Sequence, residues 1–181
     1  MFALSKYRAE RMASLGTVGE ACERWGWKEP NSHIFLPFLL QSLPLMRYIH
    51  VVRDGRDMAY SSNTRQVQLW RAHLLSEPPS DNAASDALDF WCESHRRLLT
   101  IQQCQGANVR IIRLESMIEN PRSVIRELLQ FLEVSENAER LESLCKLVTP
   151  QSTVKRYRAM PALRITPRNA EVLEAMGYEL T

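Results

Sequence analysis

Apolar positions along this chain follow two rhythms. Tyr48–Val52 is short, β-branched and nearly continuous in hydrophobicity, the pattern of a buried parallel strand covered on both faces. Residues 108–114 form a second run of the same kind. Elsewhere the apolar spacing lengthens to three and four, which predicts helices. Leu88, Trp91, Cys92, Leu98, Leu99 and Ile101 make one helical stripe after a cap at Ser85 or Asp86. Val124, Ile125, Leu128, Leu129 and Leu132 make another after the cap-then-proline pair Asn120-Pro121. Leu141, Leu144, Cys145 and Val148 mark a third, and Thr166-Pro167 opens a last helix that Gly177 ends.

Nearer the start, residues 5–15 and 17–24 read as short helices broken at Gly16. Residues 23–28 read as a strand or strand end carrying Trp25 and Trp27 on one face, stopped by Pro30. Asn31 or Ser32 caps a helix through Phe38 and Leu39. Residues 55–75 read as one helix, followed by a loop over 77–85 rich in Pro, Ser and Asn. That composition suits a mobile lid. Strands alternating with helices predict an α/β protein with a largely parallel sheet.

At 181 residues the expectation is one domain, residues 1–181, with 1–23 as an atypical N-terminal part. A net charge of +2 argues against a nucleic-acid coat; the positive charge is instead focused at Arg53/Arg56 and at Lys155/Arg156/Arg158. No apolar run reaches membrane-spanning length and Met1 to Lys6 lacks a signal-peptide design, which points to the cytoplasm. The four cysteines form no Cys-x-x-Cys pair and sit among apolar helical neighbours, so reduced, buried thiols and no metal site are expected. The oligomeric state is not legible.

Chemistry concentrates where the first clear strand ends. In Arg47-Tyr48-Ile49-His50-Val51-Val52-Arg53-Asp54-Gly55-Arg56-Asp57 an apolar run breaks into alternating charge and then turns helical. A strand that delivers Arg53 to a helix N-terminus can grip a phosphate, and Ser61, eight residues on, adds a hydroxyl. His50, inside the strand, reads as a core residue, and His95 falls on a helical stripe. His33 follows Lys28 closely and is a candidate general base. Glu115, just after the second strand, either supports the site or pairs with an arginine, and reads as structural.

This segment resembles the 3′-phosphate-binding segment of sulfotransferases that use 3′-phosphoadenylyl sulfate. Trp25-Gly26-Trp27-Lys28-Glu29-Pro30 is similar to a Trp-Gly-Trp-Lys-Asp-Pro segment of bacterial members, and Val109 to Met117 followed by Asn120-Pro121 resembles their Arg-Tyr-Glu-Asp-Leu segment. The ending Ala175-Met176-Gly177-Tyr178 is similar as well. The resemblance, over roughly residues 24–180, implies a parallel-sheet fold related to phosphate-loop nucleotide-binding proteins. It implies that Arg53 and Ser61 hold the nucleotide's 3′-phosphate and that Lys28 steadies the leaving phosphate. It also implies that Arg156 and Arg158, in a basic loop, clamp the 3′-phosphate. The chemistry implied is sulfuryl transfer to a hydroxyl or amine of a small-molecule or glycan acceptor, with no metal.

The family normally begins with a strand, a glycine-containing loop for the 5′-phosphosulfate, and a helix. Only Gly16 and Gly19 precede the Trp-Gly-Trp segment, and neither follows a convincing strand. The expectation is therefore an N-terminally truncated member, either a fragment or a natural short form. The alternative is a nucleotide-binding or interaction module that no longer transfers sulfate.

Overall fold

The computed structural model describes residues 26–150 and 154–180. The chain divides into two units, Met1–Pro30 and Asn31–Thr181. Of the first, only residues 26–30 are described, and residues 26–29 are irregular rather than the end of a strand. Gly26 and Pro30 are both poor strand residues, which accounts for the difference. The helices expected over 5–15 and 17–24, and Trp25, lie outside the described residues.

In the second unit a 3₁₀ turn, Ser32–Phe35, leads into α1, Leu36–Ser42. Strand β1 is Tyr48–Val52, followed by α2, Gly55–Ala59, α3, Arg65–Leu74, and α4, Ala83–Gln105. Strand β2 is Val109–Arg113; then come α5, Leu114–Glu119, α6, Pro121–Phe131, α7, Ala138–Lys146, a 3₁₀ turn, Arg156–Ala159, and α8, Pro167–Ala175. Among the described residues the sheet has two strands, paired in parallel from Tyr48↔Val109 to Val52↔Arg113. Both strands therefore end at the same edge, where the chain turns into α2 and α5.

The expected long helix over 55–75 is two helices. α2 stops after five residues and α3 begins at Arg65, so Ser61 lies in the connection. The α4 cap is Asn82, whose side chain accepts from the Ala84 and Ser85 amides, rather than Ser85 or Asp86. β1 is not covered on both faces: Val51 is 57% exposed and only Val52 is buried.

The main core joins Leu36 and Leu40 of α1, Val52, Leu88, Trp91 and Leu98 of α4, Val109, and Val172 and Leu173 of α8. A second cluster packs Ile125 and Leu129 of α6 on the fully buried Leu141 of α7. Asn120-Pro121 and Thr166-Pro167 open their helices as expected, with the Thr166 hydroxyl accepting from the Asn169 amide. Gly177, at φ +81°, reverses the chain after α8. Cys92 is buried, whereas Cys104 is exposed and Cys145 half-buried; Cys22 lies outside the described residues. No described helix is long and apolar enough to cross a membrane.

Gly55 opens α2 because the Trp91 indole lies directly on it. A Cβ there would stand 2.7 Å from two ring carbons. Gly55→Ala should lower stability by about 1–3 kcal/mol through overpacking, read as a drop in the urea midpoint; an unchanged midpoint would show that the indole is free to move.

Candidate functional site

The strand register sets the geometry at the sheet's edge. Val52 pairs with Arg113, so Asp54 and Glu115, two residues beyond on each strand, come opposite one another. Both are buried. The Asp54 amide donates to Glu115 Oε1 at 3.1 Å, and the Tyr178 hydroxyl donates to Glu115 Oε2 at 3.0 Å. Burial and the adjacent Glu115 carboxylate push the Tyr178 phenol far up, which keeps it a donor. Glu115 thus ties both strand ends to the chain after α8, and its partners are an amide and a phenol rather than an arginine.

Asp54 caps α2, accepting from the Arg56 amide at 2.9 Å and from the Arg56 guanidinium at 2.7 Å. One backbone donor of this helix start, the Arg56 amide, is therefore taken by the protein's own carboxylate. Arg56, buried, also lies 4.3 Å from the centre of the Tyr157 ring. It is a structural cation that joins α2 to the 3₁₀ turn.

Arg53 leaves β1 and folds along α2 onto Asp57, four residues on, with Nη2 3.0 Å from Oδ2 and a longer bond from Nε at 3.4 Å. One carboxylate oxygen so takes two of the five donors of a guanidinium. The Arg53 side chain keeps 17% exposure, while that of Asp57 has none. α2 spans only about 7 Å from end to end, so Arg53 before it and Ser61 after it flank a single short helix. The Ser61 hydroxyl accepts from the Asn63 amide at 3.2 Å.

The basic segment after residue 153 arrives at the same helix. The Lys155 amide donates to Asp57 Oδ2 at 2.7 Å and the Tyr157 amide to Oδ1 at 3.0 Å. Arg156 Nη2 donates to the Asp57 carbonyl oxygen at 2.7 Å, with Nε at 3.2 Å. Lys155 takes the left-handed conformation, φ +62°, to aim its amide inward. Arg158 is exposed on the 3₁₀ turn. The structure brings Arg53 and Arg156 onto one helix, and the residue that does so, Asp57, is not a residue the sequence singles out. Its signal is faint: an aspartate four residues after the strand-end arginine, on the same helical face.

Lys28 is exposed on the irregular segment of the first unit. His33, in the 3₁₀ turn before α1, meets His50 edge-on at 5.8 Å between ring centres. His50 Nε2 lies 3.2 Å from His95 Nε2, His50 Nδ1 2.9 Å from the Tyr48 hydroxyl, and His95 Nδ1 2.7 Å from the Trp91 carbonyl. These partners fix the protons. A carbonyl only accepts, so His95 carries its proton on Nδ1 and leaves Nε2 as acceptor for His50 Nε2–H. His50 Nδ1 then accepts from Tyr48, whose phenol burial raises to about 12. Burial, helped by the neighbouring imidazoles, holds His50 well below 6.5, and burial lowers His95 to about 4. The core role expected for His50 fits this chain.

The loop over 77–85 is pinned. Buried Arg71 donates to the carbonyls of Glu77 and Pro78 at 2.8 and 3.0 Å and pairs with Asp86 at 3.3 Å. Asp86 also accepts from the Ser80 amide. The mobile lid suggested by composition is instead held by an ion pair beneath it. A cavity of about 470 Å³ opens beside it, lined by Ser80, Asp81, Ser85, Asp89, Arg164 and Thr166. Among the described residues no three His, Cys, Asp or Glu are grouped to hold a metal ion.

Residues 3–138 match the model of the sulfotransferase family. A sulfotransferase domain from the curacin biosynthetic pathway superposes with a TM-score of 0.59 at 17% identity, over 85% of this chain and 62% of that one. A sulfotransferase domain from the Synechococcus PCC 7002 olefin synthase superposes at 0.53 and 20% identity, over 75% of this chain and 50% of that one. At these identities the likeness is one of fold. The chain spans less than two thirds of either domain. No curated protein matches it.

The imidazole chain carries a pH signature. Both folded-state pKa values lie below the unfolded value of about 6.5. Their contribution is whole above that pH and is lost as pH falls from 6.5 towards 4, because the unfolded chain takes up protons first. At pH 5.5, His95 alone should cost about 1 kcal/mol relative to pH 7.5. Urea midpoints at the two pH values test this, and equal midpoints would mean the imidazoles titrate normally in the fold.

Proposed function

Because the chain belongs to the sulfotransferase family, we propose that it moves a sulfuryl group from 3′-phosphoadenylyl sulfate to a hydroxyl or amine of a small-molecule or glycan acceptor. The observation that carries this reading is the convergence on α2: a strand-end arginine and a basic segment from the far end of the chain meet on one helix through Asp57. Such convergence serves a phosphate better than a neutral ligand, since guanidinium groups bind phosphate through paired donors.

In this reading Arg53 and Ser61 bind the 3′-phosphate, and Arg156 and Arg158 close over it. Arg156 is already fixed by the Asp57 carbonyl, so little ordering remains to be done on binding. When bound, 3′-phosphoadenylyl sulfate supplies the sulfuryl group and carries away negative charge on its bridging oxygen. The Lys28 ammonium offsets that charge. His33 is the candidate base for the acceptor's proton. Metal ions play no part in the proposed transfer.

Calorimetry with 3′,5′-adenosine bisphosphate tests the phosphate site. Arg53→Ala should weaken binding about 100-fold, as expected for losing charge-assisted hydrogen bonds. Unchanged affinity would remove the site. Lys28→Met should lower the transfer rate by about 100-fold or more while nucleotide affinity stays within about twofold; parallel losses in both would make Lys28 a binding residue instead. Tight binding without transfer to any acceptor in a hydroxyl and amine panel would favour a binding module.

A further inference from the structure

We propose that Asp57 is a positioning residue that couples the strand-end arginine to the basic segment, so that both engage a 3′-phosphate as one unit. The inference rests on the nucleotide site proposed above and adds to it the element that holds its two halves together.

Asp57 has no exposure and makes its contacts in two directions. Oδ2 receives the Arg53 guanidinium and the Lys155 amide, and Oδ1 receives the Tyr157 amide. Its carbonyl oxygen receives Arg156. A carboxylate removed from water demands such saturation, because an uncompensated buried charge is strongly unfavourable. The three partners of the carboxylate are therefore held in fixed relation, and Arg156 joins them through the backbone carbonyl of the same residue. Tilting the Arg53 plane disturbs Oδ2, which the Lys155 amide shares; moving the 155–157 segment disturbs Arg53 through the same atom. Linkage of this kind is reciprocal: whatever fixes Arg53 also fixes the segment.

Asp57→Asn is nearly the same size and cannot satisfy all the donors. With the amide oxygen in the Oδ2 place, the new NH₂ faces the Tyr157 amide; with the oxygen in the Oδ1 place, it faces Arg53 and Lys155. Either way the hold on the basic segment fails at one end, at the Tyr157 amide in the first case and at the Lys155 amide together with Arg53 in the second.

The readout is discrimination between 3′,5′-adenosine bisphosphate and adenosine 5′-phosphate, measured by calorimetry on the full chain. A residue that only supports the fold would weaken both ligands alike. Positioning weakens the ligand with the 3′-phosphate selectively, so D57N should lose about tenfold or more of the preference shown by the unaltered protein. If D57N retains that preference, the proposal is overturned while the nucleotide site stands. If the unaltered protein shows no preference, the site reading fails and the proposal falls with it. Amide exchange in the unaltered protein covers the case of a poorly folded variant. The Lys155 and Tyr157 amides should exchange more slowly with the bisphosphate bound than with adenosine 5′-phosphate at equal occupancy, and equal rates would overturn the coupling.

Discussion

Burying a carboxylate is tolerable only when donors compensate its charge, and at the end of this sheet the chain buries three. Asp54, Asp57 and Glu115 sit within a few residues of the strand termini. Each recruits donors from a different part of the chain: the first from α2 itself, the second from the 155–157 segment, the third from Asp54 and Tyr178. The edge of the sheet is thus organised by acceptors, and the arginines are arranged around them. Removing any one acceptor would leave donors in or beside the core without their partner.

Beneath this polar layer lies an aromatic one. Trp91 of α4 covers Gly55 and stacks on His95 at 4.0 Å between ring centres. The imidazole chain from Tyr48 through His50 and His95 to the Trp91 carbonyl then runs from β1 to α4 within the core. The strand that presents Arg53 is so anchored twice, by apolar contact at Val52 and by hydrogen bonds at Tyr48 and His50. A rigid platform of this sort is what precise placement of a charged group requires.

Much of the fold could be read from local pattern. The two strands are short apolar runs with turn residues beyond them, and the helices α6 and α8 announce themselves by cap and proline. The break between α2 and α3 has no glycine or proline, only the polar run over residues 61–64, where Ser61 accepts from the Asn63 amide and Asn63 from the Arg65 amide. Other features are settled over longer distances. The pinning of the 77–85 loop depends on Arg71 meeting Asp86. At the site, Arg53 stood out because a cation ending an apolar strand is conspicuous. Asp57 did not, since apart from Arg53, four residues before it, its partners lie about a hundred residues downstream. Arg56 looked equivalent to Arg53 in sequence but is consumed by Asp54 and Tyr157.

Lys155 carries a consequence for how this segment can vary. Its side chain is exposed, while its backbone sits in a region that most L-amino acids enter only at a cost. The fold therefore asks for handedness at this position more than for charge. Glycine or asparagine preserves the bend that turns the amide towards α2, whereas valine or isoleucine resists it, however well the neighbouring basic residues are kept.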